Sequence, residues 1–200
     1  MPPRRPQQRS AQPSSRPAQV RIIGGVWRGR KLPVTAREGL RPTPDRVRET
    51  LFNWLSAWVP GSRCLDCFSG SGALALEALS RGAEYARLLE LDGSVARQLK
   101  ANLATLNDDR GQVIQADSLQ QLARDGDERF NLVFLDPPFR CEMLIECCQL
   151  LEMNDWLSED ALIYVEAERE LTLTDLPKNW SLYREKIAGQ VAYRLFQRQP

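Results

Sequence analysis

The sequence predicts an α/β fold built on a mostly parallel sheet with helices on both faces. Between residues 63 and 166, short apolar runs typical of strands alternate with segments whose apolar side chains have helical spacing. Such alternation is typical of parallel sheets. Residues 179–187 and 190–197 are two further strand-like runs with no room for a helix between them, which indicates an antiparallel pair. We therefore expect seven strands, the last added as a C-terminal antiparallel hairpin strand.

The predicted elements of the parallel part follow one another closely. Because crossovers between parallel strands are right-handed, ligands are expected at the carboxyl ends of the strands. The predicted strands are 63–68, 85–91, 112–116, 130–135 and 161–166. The predicted helices are 71–81, a segment bearing Val95, Leu99, Leu103 and Leu106, a short helix after 116, and a segment bearing Met143, Cys147, Leu150 and Leu151.

The first 60 residues form a separate extension in this prediction. Residues 1–18 are rich in proline and arginine and nearly devoid of large apolar side chains, so we expect a disordered tail. Residues 20–34 read as a hairpin around Gly24-Gly25. A helix begins near Thr43-Pro44, with the hydroxyl at the cap position, and ends at Pro60-Gly61. The predicted divisions are a tail (1–18), a hairpin and helix extension (19–60) and a main domain (61–200).

Charge is distributed unevenly along the chain. Residues 1–48 carry a net charge of +10, whereas the remainder carries −9. This asymmetry favours a polyanionic partner over a merely solubilising tail. The basic residues on or beside predicted ordered structure are the candidates for that contact: Arg21, Arg28, Arg30, Lys31, Arg41 and Arg46.

Composition excludes several kinds of chemistry. The chain has no histidine, which removes Ser-His-Asp and Cys-His catalysis and most zinc sites. Cys64 and Cys67 form a lone C-x-x-C motif, so we expect reduced thiols in a cytoplasmic protein and no metal site. No apolar run approaches the length of roughly 20 residues that a membrane span needs, and the N-terminus lacks the apolar core of a secretory signal.

A glycine-rich bend follows the first predicted strand of the main domain. Gly70, Gly72 and Ala75 satisfy the pattern G-x-G-x-x-A, and Glu90 ends the next strand 20 residues after Gly70. Such glycines let the backbone approach a ligand, and a carboxylate at the position of Glu90 can accept hydrogen bonds from ribose hydroxyls. The pattern fits NAD and S-adenosylmethionine equally well, and a tight strand-to-helix turn is the purely structural alternative.

Two further acids end or follow predicted strands. Asp117 could accept a hydrogen bond from an adenine amine, but it is nearly as well suited to cap the following helix. Helix capping is the structural alternative for Glu90, but Asp92 fits that role better.

The most discriminating motif is Asp136-Pro137-Pro138-Phe139, which follows the fourth strand. The two prolines remove backbone donors, so a carboxylate, outward carbonyls and an aromatic ring remain. This set of acceptors suits a planar group that carries an amine, with two N–H donors meeting Asp136 and the Pro137 carbonyl and the ring stacking on Phe139. Catalysis at such a site would depend on positioning and electrostatics.

These motifs together resemble the class I methyltransferases of the N-P-P-Y group, here with Asp136 and Phe139 in place of Asn and Tyr. The segments 21–32, 41–55 and 189–194 extend the likeness to the bacterial RsmD family over about residues 20–197. The resemblance implies a Rossmann-like fold, S-adenosylmethionine as cofactor, and methylation of N2 of a guanosine in 16S ribosomal RNA, on rRNA or an assembling 30S subunit, by a monomer. By resemblance, Asp136, Pro137, Pro138 and Phe139 hold the target base, and the cofactor-binding residues are Asp66, Phe68, Gly70, Gly72, Glu90 and Asp117.

Other functions stay open at this level. The Asp-Pro-Pro-Phe site does not itself identify the base, so an adenine-N6 methyltransferase acting on DNA or RNA is the nearest alternative. Duplex DNA would require base flipping and usually a separate recognition domain, for which the chain has little room. A non-catalytic RNA-binding module and a dehydrogenase are weaker alternatives.

Overall fold

The computed structural model describes residues 18–35, 43–138 and 143–199. Within these ranges the strands are β1 (Gln19–Arg21), β2 (Lys31–Pro33), β3 (Arg63–Asp66), β4 (Tyr85–Glu90), β5 (Gly111–Gln115), β6 (Phe130–Leu135), β7 (Leu157–Glu168), β8 (Trp180–Ala188) and β9 (Val191–Arg198). The helices of the same described residues are α1 (Asp45–Trp54), α2 (Ala73–Ser80), α3 (Gly93–Leu106), α4 (Ser118–Leu122) and α5 (Met143–Met153).

Seven strands form one sheet in the order β5-β4-β3-β6-β7-β9-β8. The pairs from β5 to β7 are parallel, and β9 pairs antiparallel with both β7 and β8. The predicted sheet and its C-terminal antiparallel strand are confirmed. The chain runs outward from β3 to β5 and then returns to add β6 on the other side of β3. The crevice between β3 and β6 is therefore the topological switch point, where open α/β sheets bind ligands.

The extension agrees with its prediction in the hairpin and differs in the helix. β1 and β2 are the two short strands expected around Gly24-Gly25, and residues 24–29 form the turn between them. Helix α1 ends at Trp54 instead of reaching Pro60, and Thr43 does not cap it: the N-cap is Pro44, without a side-chain hydrogen bond. Strand β7 extends beyond the predicted 161–166 at both ends. The predicted tail lies almost wholly outside the described residues, so it and the proposed division of the chain remain predictions.

Two hydrophobic layers cover the two faces of the large sheet. One layer joins the β1–β2 hairpin, α1, α2 and α3 to the sheet, and the other joins α4 and α5. Cys64, Cys67, Cys147 and Cys148 are buried free thiols in these layers. None of the described helices combines the length and the apolar character needed to cross a bilayer.

Helix α2 is buried on every side because the extension covers the face that would otherwise meet solvent. A fully buried polar residue, Glu77, lies in the middle of this helix. Its carboxylate accepts hydrogen bonds from the backbone N–H groups of Ile23 (2.8 Å) and Gly24 (2.7 Å). The Arg81 guanidinium donates to it over 2.7 Å. One carboxylate thus fastens the β1–β2 turn to the main domain.

Neighbouring polar contacts complete this junction. The Ser80 hydroxyl donates to the Gly24 carbonyl (2.6 Å) and accepts from the Trp27 N–H (3.0 Å). The buried Arg48 of α1 donates to the Arg21 carbonyl (2.9 Å) and to Asp45 (2.6 Å). Another of its nitrogens lies 3.6 Å from a Glu77 oxygen. Hairpin, α1 and α2 therefore share one buried polar network.

We predict that Glu77→Ala lowers the free energy of unfolding by about 3–5 kcal/mol, because it removes the carboxylate that meets the buried Arg48, the partly buried Arg81 and two backbone N–H groups. Urea unfolding at equilibrium measures this change. The exposed Glu84 provides the matched control, since Glu84→Ala should change stability by less than about 0.5 kcal/mol. Equal small losses in both variants would contradict the role assigned to Glu77.

Candidate active site

The polar residues predicted from the strand ends lie along one edge of the sheet. Glu90 ends β4, Asp117 follows β5, the glycine loop follows β3, and Asp136 follows β6. Because these four strands are parallel neighbours, their carboxyl ends meet on the two sides of the switch point. The structure therefore gathers the predicted site at the place where a ligand is expected.

The glycine loop is a tight turn built on left-handed backbone. Gly70 and Gly72 have φ values of 48° and 75°. A Cβ on Gly72 would lie 2.6 Å from a methyl carbon of Leu99, and the Gly72 N–H donates to the Ser69 carbonyl over 2.6 Å. Gly72 is thus required by the turn itself. The purely structural reason for this glycine is confirmed, and its role toward a ligand remains a prediction.

Asp66 ends β3 and is buried. Its carboxyl group accepts hydrogen bonds from the backbone of Phe68 and Ala75, on either side of the glycine turn. Burial raises the pKa of Asp66 to about 7, with a contribution from the negative charge of Glu90. These contacts show that Asp66 shapes the loop from inside, next to the half-buried Phe68. Direct contact of either residue with a cofactor stays a prediction.

Glu90 is held by backbone donors on both sides. It accepts from the Gly70 N–H (3.0 Å) and from the Asp92 N–H (2.7 Å). A carboxylate has about four acceptor positions, so two stay available for hydroxyl groups of a ligand. Asp92 caps α3 by accepting from the N–H groups of Ser94 and Val95, which confirms its predicted structural role.

Asp117 caps α4 by accepting from the Gln120 N–H over 3.0 Å. The structural alternative for this residue is therefore confirmed. The adjacent Ser118 hydroxyl donates to the Cys67 carbonyl, which ties the end of β5 to the end of β3. The contact of Asp117 with an adenine amine stays a prediction.

Asp136 accepts a hydrogen bond from a residue of the extension. The Thr43 hydroxyl donates to an Asp136 carboxyl oxygen over 3.3 Å, although 93 residues separate the two in sequence. The helix cap predicted for Thr43 is wrong because this hydroxyl is engaged at Asp136 instead. Pro137 is buried and Pro138 is exposed. Phe139 lies outside the described residues, so its stacking role remains a prediction.

Sequence reasoning missed Glu166, which lies beside Asp136. It belongs to β7, is 6% exposed, and accepts a hydrogen bond from the Tyr164 hydroxyl over 2.9 Å. Burial raises the pKa of Glu166 and raises that of Asp136 well above its usual range. The charges of Glu166 and Asp66 also raise the pKa of Asp136. The only signal in the sequence was an acid at the end of an apolar strand, ALIYVE.

The predicted basic residues differ in how free they are to meet a partner. Arg21 forms an exposed ion pair with Asp45 (2.8 Å), and Arg30 donates to the Thr105 carbonyl (3.2 Å). Arg28, Lys31 and Arg46 are exposed, and no carboxylate among the described residues lies within 4.0 Å of them. Arg41 falls outside the described residues.

Comparison with known proteins gives consistent likenesses. A family model described as "Conserved hypothetical protein 95" matches residues 20–197. The chain is 59% identical to Ribosomal RNA small subunit methyltransferase D of Escherichia coli K12, over 90% of this chain and 91% of the relative. It is 52% identical to the protein of that name in Haemophilus influenzae, over 90% and 94%. The solved structure of yhhF from Escherichia coli, a candidate methyltransferase, superposes with a TM-score of 0.85 at 56% identity, over 91% and 99%.

The buried acids of the site predict a pH-dependent stability. A raised pKa in the folded state means that the folded protein holds its proton more tightly than the unfolded chain does, so stability falls as pH rises toward the folded-state value. For Asp66 this interval runs from about pH 4 to about pH 7. We predict that Asp66→Asn flattens the decline of unfolding free energy between pH 5 and 7 by up to about 1.4 kcal/mol per pH unit.

Urea unfolding at several pH values checks this prediction. Asparagine retains an acceptor for the two backbone donors, so the turn should survive the change. Asp109→Asn, at an exposed position on the opposite edge of the sheet, is the control and should leave the pH dependence as in the wild type. A slope unchanged by Asp66→Asn would show that Asp66 ionises alike in both states.

Proposed function

Since the chain belongs to the family described as "Conserved hypothetical protein 95" and resembles its RsmD members, we propose that it transfers a methyl group from S-adenosylmethionine to N2 of a guanosine in 16S ribosomal RNA. The observation that carries the proposal is the position of Asp136. Its carboxyl group lies directly after β6, across the switch point from the glycine loop and Glu90. A hydrogen-bond acceptor for the target amine and a loop suited to bind a nucleoside thus lie in one crevice.

The residues fit this cofactor by the chemistry of their groups. Glu90 would accept hydrogen bonds from the ribose hydroxyls, and the turn at Gly70 and Gly72 would run beside the amino acid part. The buried acids Asp66 and Glu166 and the half-buried Asp136 concentrate carboxyl groups in the crevice, which suits a cationic ligand. When bound, the cofactor supplies an electrophilic methyl group on a sulfonium.

Asp136 would act on the other substrate, the target base. Its carboxylate and the Pro137 carbonyl would accept the two amine N–H groups, while Phe139 would stack on the ring. Thr43 holds the Asp136 carboxyl group from the side of the extension. Catalysis by these residues consists of orienting the amine nitrogen and receiving its proton.

Partner and compartment follow from the same proposal. Relatives with 59% and 52% identity are named for ribosomal RNA of the small subunit. We propose that rRNA, alone or within an assembling 30S subunit, is the partner, that the enzyme acts as a monomer in the cytoplasm, and that no metal takes part.

The deciding experiment supplies the protein with S-adenosylmethionine carrying a labelled methyl group. Naked 16S rRNA, 30S subunits and DNA serve as acceptors, and the nucleosides are separated after digestion. We expect label in N2-methylguanosine, and Asp136→Ala should lose transfer while retaining affinity for the cofactor, because Asp136 is assigned to the amine. Asp109→Asn is the matched control.

Label in N6-methyladenosine would show that the target base is adenine and would overturn the assignment of guanine. Transfer by Asp136→Ala at a near wild-type rate would overturn the assignment of the acceptor.

The exposed cations of the extension are proposed to hold the RNA. Arg28 lies in the β1–β2 turn, Lys31 begins β2, and Arg46 lies in the first turn of α1. They belong to the positively charged quarter of a chain whose remainder is negative. Since Thr43 connects the same extension to Asp136, phosphates docked on it would bring a base toward the crevice.

We predict that replacing Arg28, Lys31 and Arg46 together by Gln flattens the slope of log K against log salt by about 2–3 units. Each Lys or Arg that contacts a phosphate displaces about one counterion condensed on the RNA, so each contact removed by substitution lowers the number of counterions released on binding by about one. RNA affinity measured across salt concentrations gives the slope.

The control removes three exposed cations from the acidic body: Arg124, Arg129 and Lys178, each replaced by Gln. Its slope should stay near that of the wild type, and so should the slope of a chain lacking residues 1–18. A collapse of the slope in the truncated chain alone would move RNA docking to the tail.

A further inference from the structure

Three acids lie at the ends of three neighbouring strands: Asp66 and Glu166 are buried and Asp136 is half-buried. Asp66 ends β3, Asp136 follows β6, and Glu166 lies in β7. Leu135 of β6 is in register with Val165 of β7, so Asp136 and Glu166 are the residues that directly follow this pair on the two strands. Side chains at such positions of a parallel pair point to the same face and are direct neighbours. Asp136 and Glu166 therefore form a side-by-side carboxyl pair.

No described cation balances this pair. Within the described ranges, no Lys or Arg nitrogen lies within 4.0 Å of Asp66, Asp136 or Glu166. The buried guanidinium of Arg48 is held by Asp45 and Glu77 instead. Nor does any group of three or more His, Cys, Asp or Glu in the described part of the chain have an arrangement able to hold a metal ion.

The neighbours of the pair donate hydrogen bonds but bring no positive charge. Thr43 donates to Asp136 and Tyr164 donates to Glu166. Tyr193 of β9 is in register with Glu166 and stacks on Trp54 of α1 at 5.5 Å. Among the described strands, the other titratable groups on this face are Asp66 of β3, Glu168 of β7 and Lys186 of β8, and the exposed Lys186 is separated from Glu166 by β9.

Two like charges in a desolvated site cannot both be carried at low cost, so such a pair retains a proton and titrates as one unit. A cation placed beside the pair reverses this preference and expels the proton. Conversely, loss of that positive charge restores the affinity of the pair for a proton.

We infer that Asp136 and Glu166 share one proton, release it when the cationic cofactor binds, and take up a proton from the target amine during methyl transfer. The inference rests on the proposed function and adds Glu166 to it as a positioning residue. Glu166 acts through Asp136, which touches the amine.

Charge and atoms balance in this sequence of events. As the bond from the amine nitrogen to the methyl carbon forms, the bond from that carbon to sulfur breaks and its electron pair stays on sulfur. The nitrogen gives one proton to the Asp136 carboxylate. Positive charge leaves the sulfur as the proton reaches the pair, so the net charge of the crevice is conserved.

The test measures protons released on binding, with no turnover. Calorimetric titrations at pH 7 are performed in buffers of different ionisation enthalpy, with S-adenosylmethionine and with S-adenosylhomocysteine, which lacks the sulfonium charge. The wild-type protein should release about 0.5–1 proton more with the first ligand than with the second. In Glu166→Gln this difference should fall by at least half, and what remains is release from Asp66, whose pKa lies at about 7.

A pH profile of kcat gives the second readout. Removing the charge of Glu166 makes Asp136 easier to ionise, so Glu166→Gln should move the acidic limb to lower pH by about one unit. A purely structural role would lower kcat equally at every pH. Glu166→Asp should restore part of the proton release. Glu185→Gln, which removes a charge from an exposed pair with Arg194, should behave as wild type in both measurements.

The outcomes separate this inference from the proposed function. Equal proton release for the two ligands by the wild-type protein would overturn the carboxyl pair and leave the methyltransferase proposal standing. Absence of binding by either ligand would overturn both. The wild-type comparison of the two ligands decides the matter even if Glu166→Gln fails to fold.

Discussion

One buried carboxylate fixes how the two parts of this molecule meet. Glu77 projects from α2 toward the extension and accepts hydrogen bonds from the N–H groups of Ile23 and Gly24. A charge removed from water this completely is stable only when fully partnered, and here Arg81 and Arg48 supply the opposite charge. Because α1 is joined to the same network, the position of Thr43 at Asp136 depends on it. The geometry of the crevice therefore depends on the polar network around Glu77, which lies outside the crevice.

The sheet imposes the second constraint, a concentration of negative charge. A parallel sheet brings the ends of its strands to one edge, and at this edge Asp66, Glu90, Asp136 and Glu166 converge. Backbone N–H groups hold Asp66 and Glu90, whereas the donors that Asp136 and Glu166 meet among the described residues are hydroxyl groups. The apolar layers on both faces of the sheet offset the cost of this arrangement. Its charge is complementary to a cationic ligand, which links stability directly to function.

Local patterns predicted the main domain because each strand carries its own signal. An acid after an apolar strand marks the ligand edge, and Glu90, Asp117 and Asp136 were found this way. Thr43 was misread since a hydroxyl before a proline looks like a helix cap, and its partner lies 93 residues away. Burial of Glu77 and Glu166 depends on what packs against them, which no local window contains. Phe139 and Arg41 remain predictions from sequence.

The uneven charge of the chain can be explained by how a nucleic acid would be oriented on this surface. A nucleic acid carries its negative charge on phosphates and presents bases that are neutral. In the proposed docking, the acidic crevice would repel the phosphates but admit a neutral base, while the exposed Arg28, Lys31 and Arg46 would attract the backbone outside it. The extension that bears these cations also delivers Thr43 to Asp136. Attraction outside and repulsion within thus act in the same direction, since both favour the orientation in which a single base enters and the backbone stays on the surface.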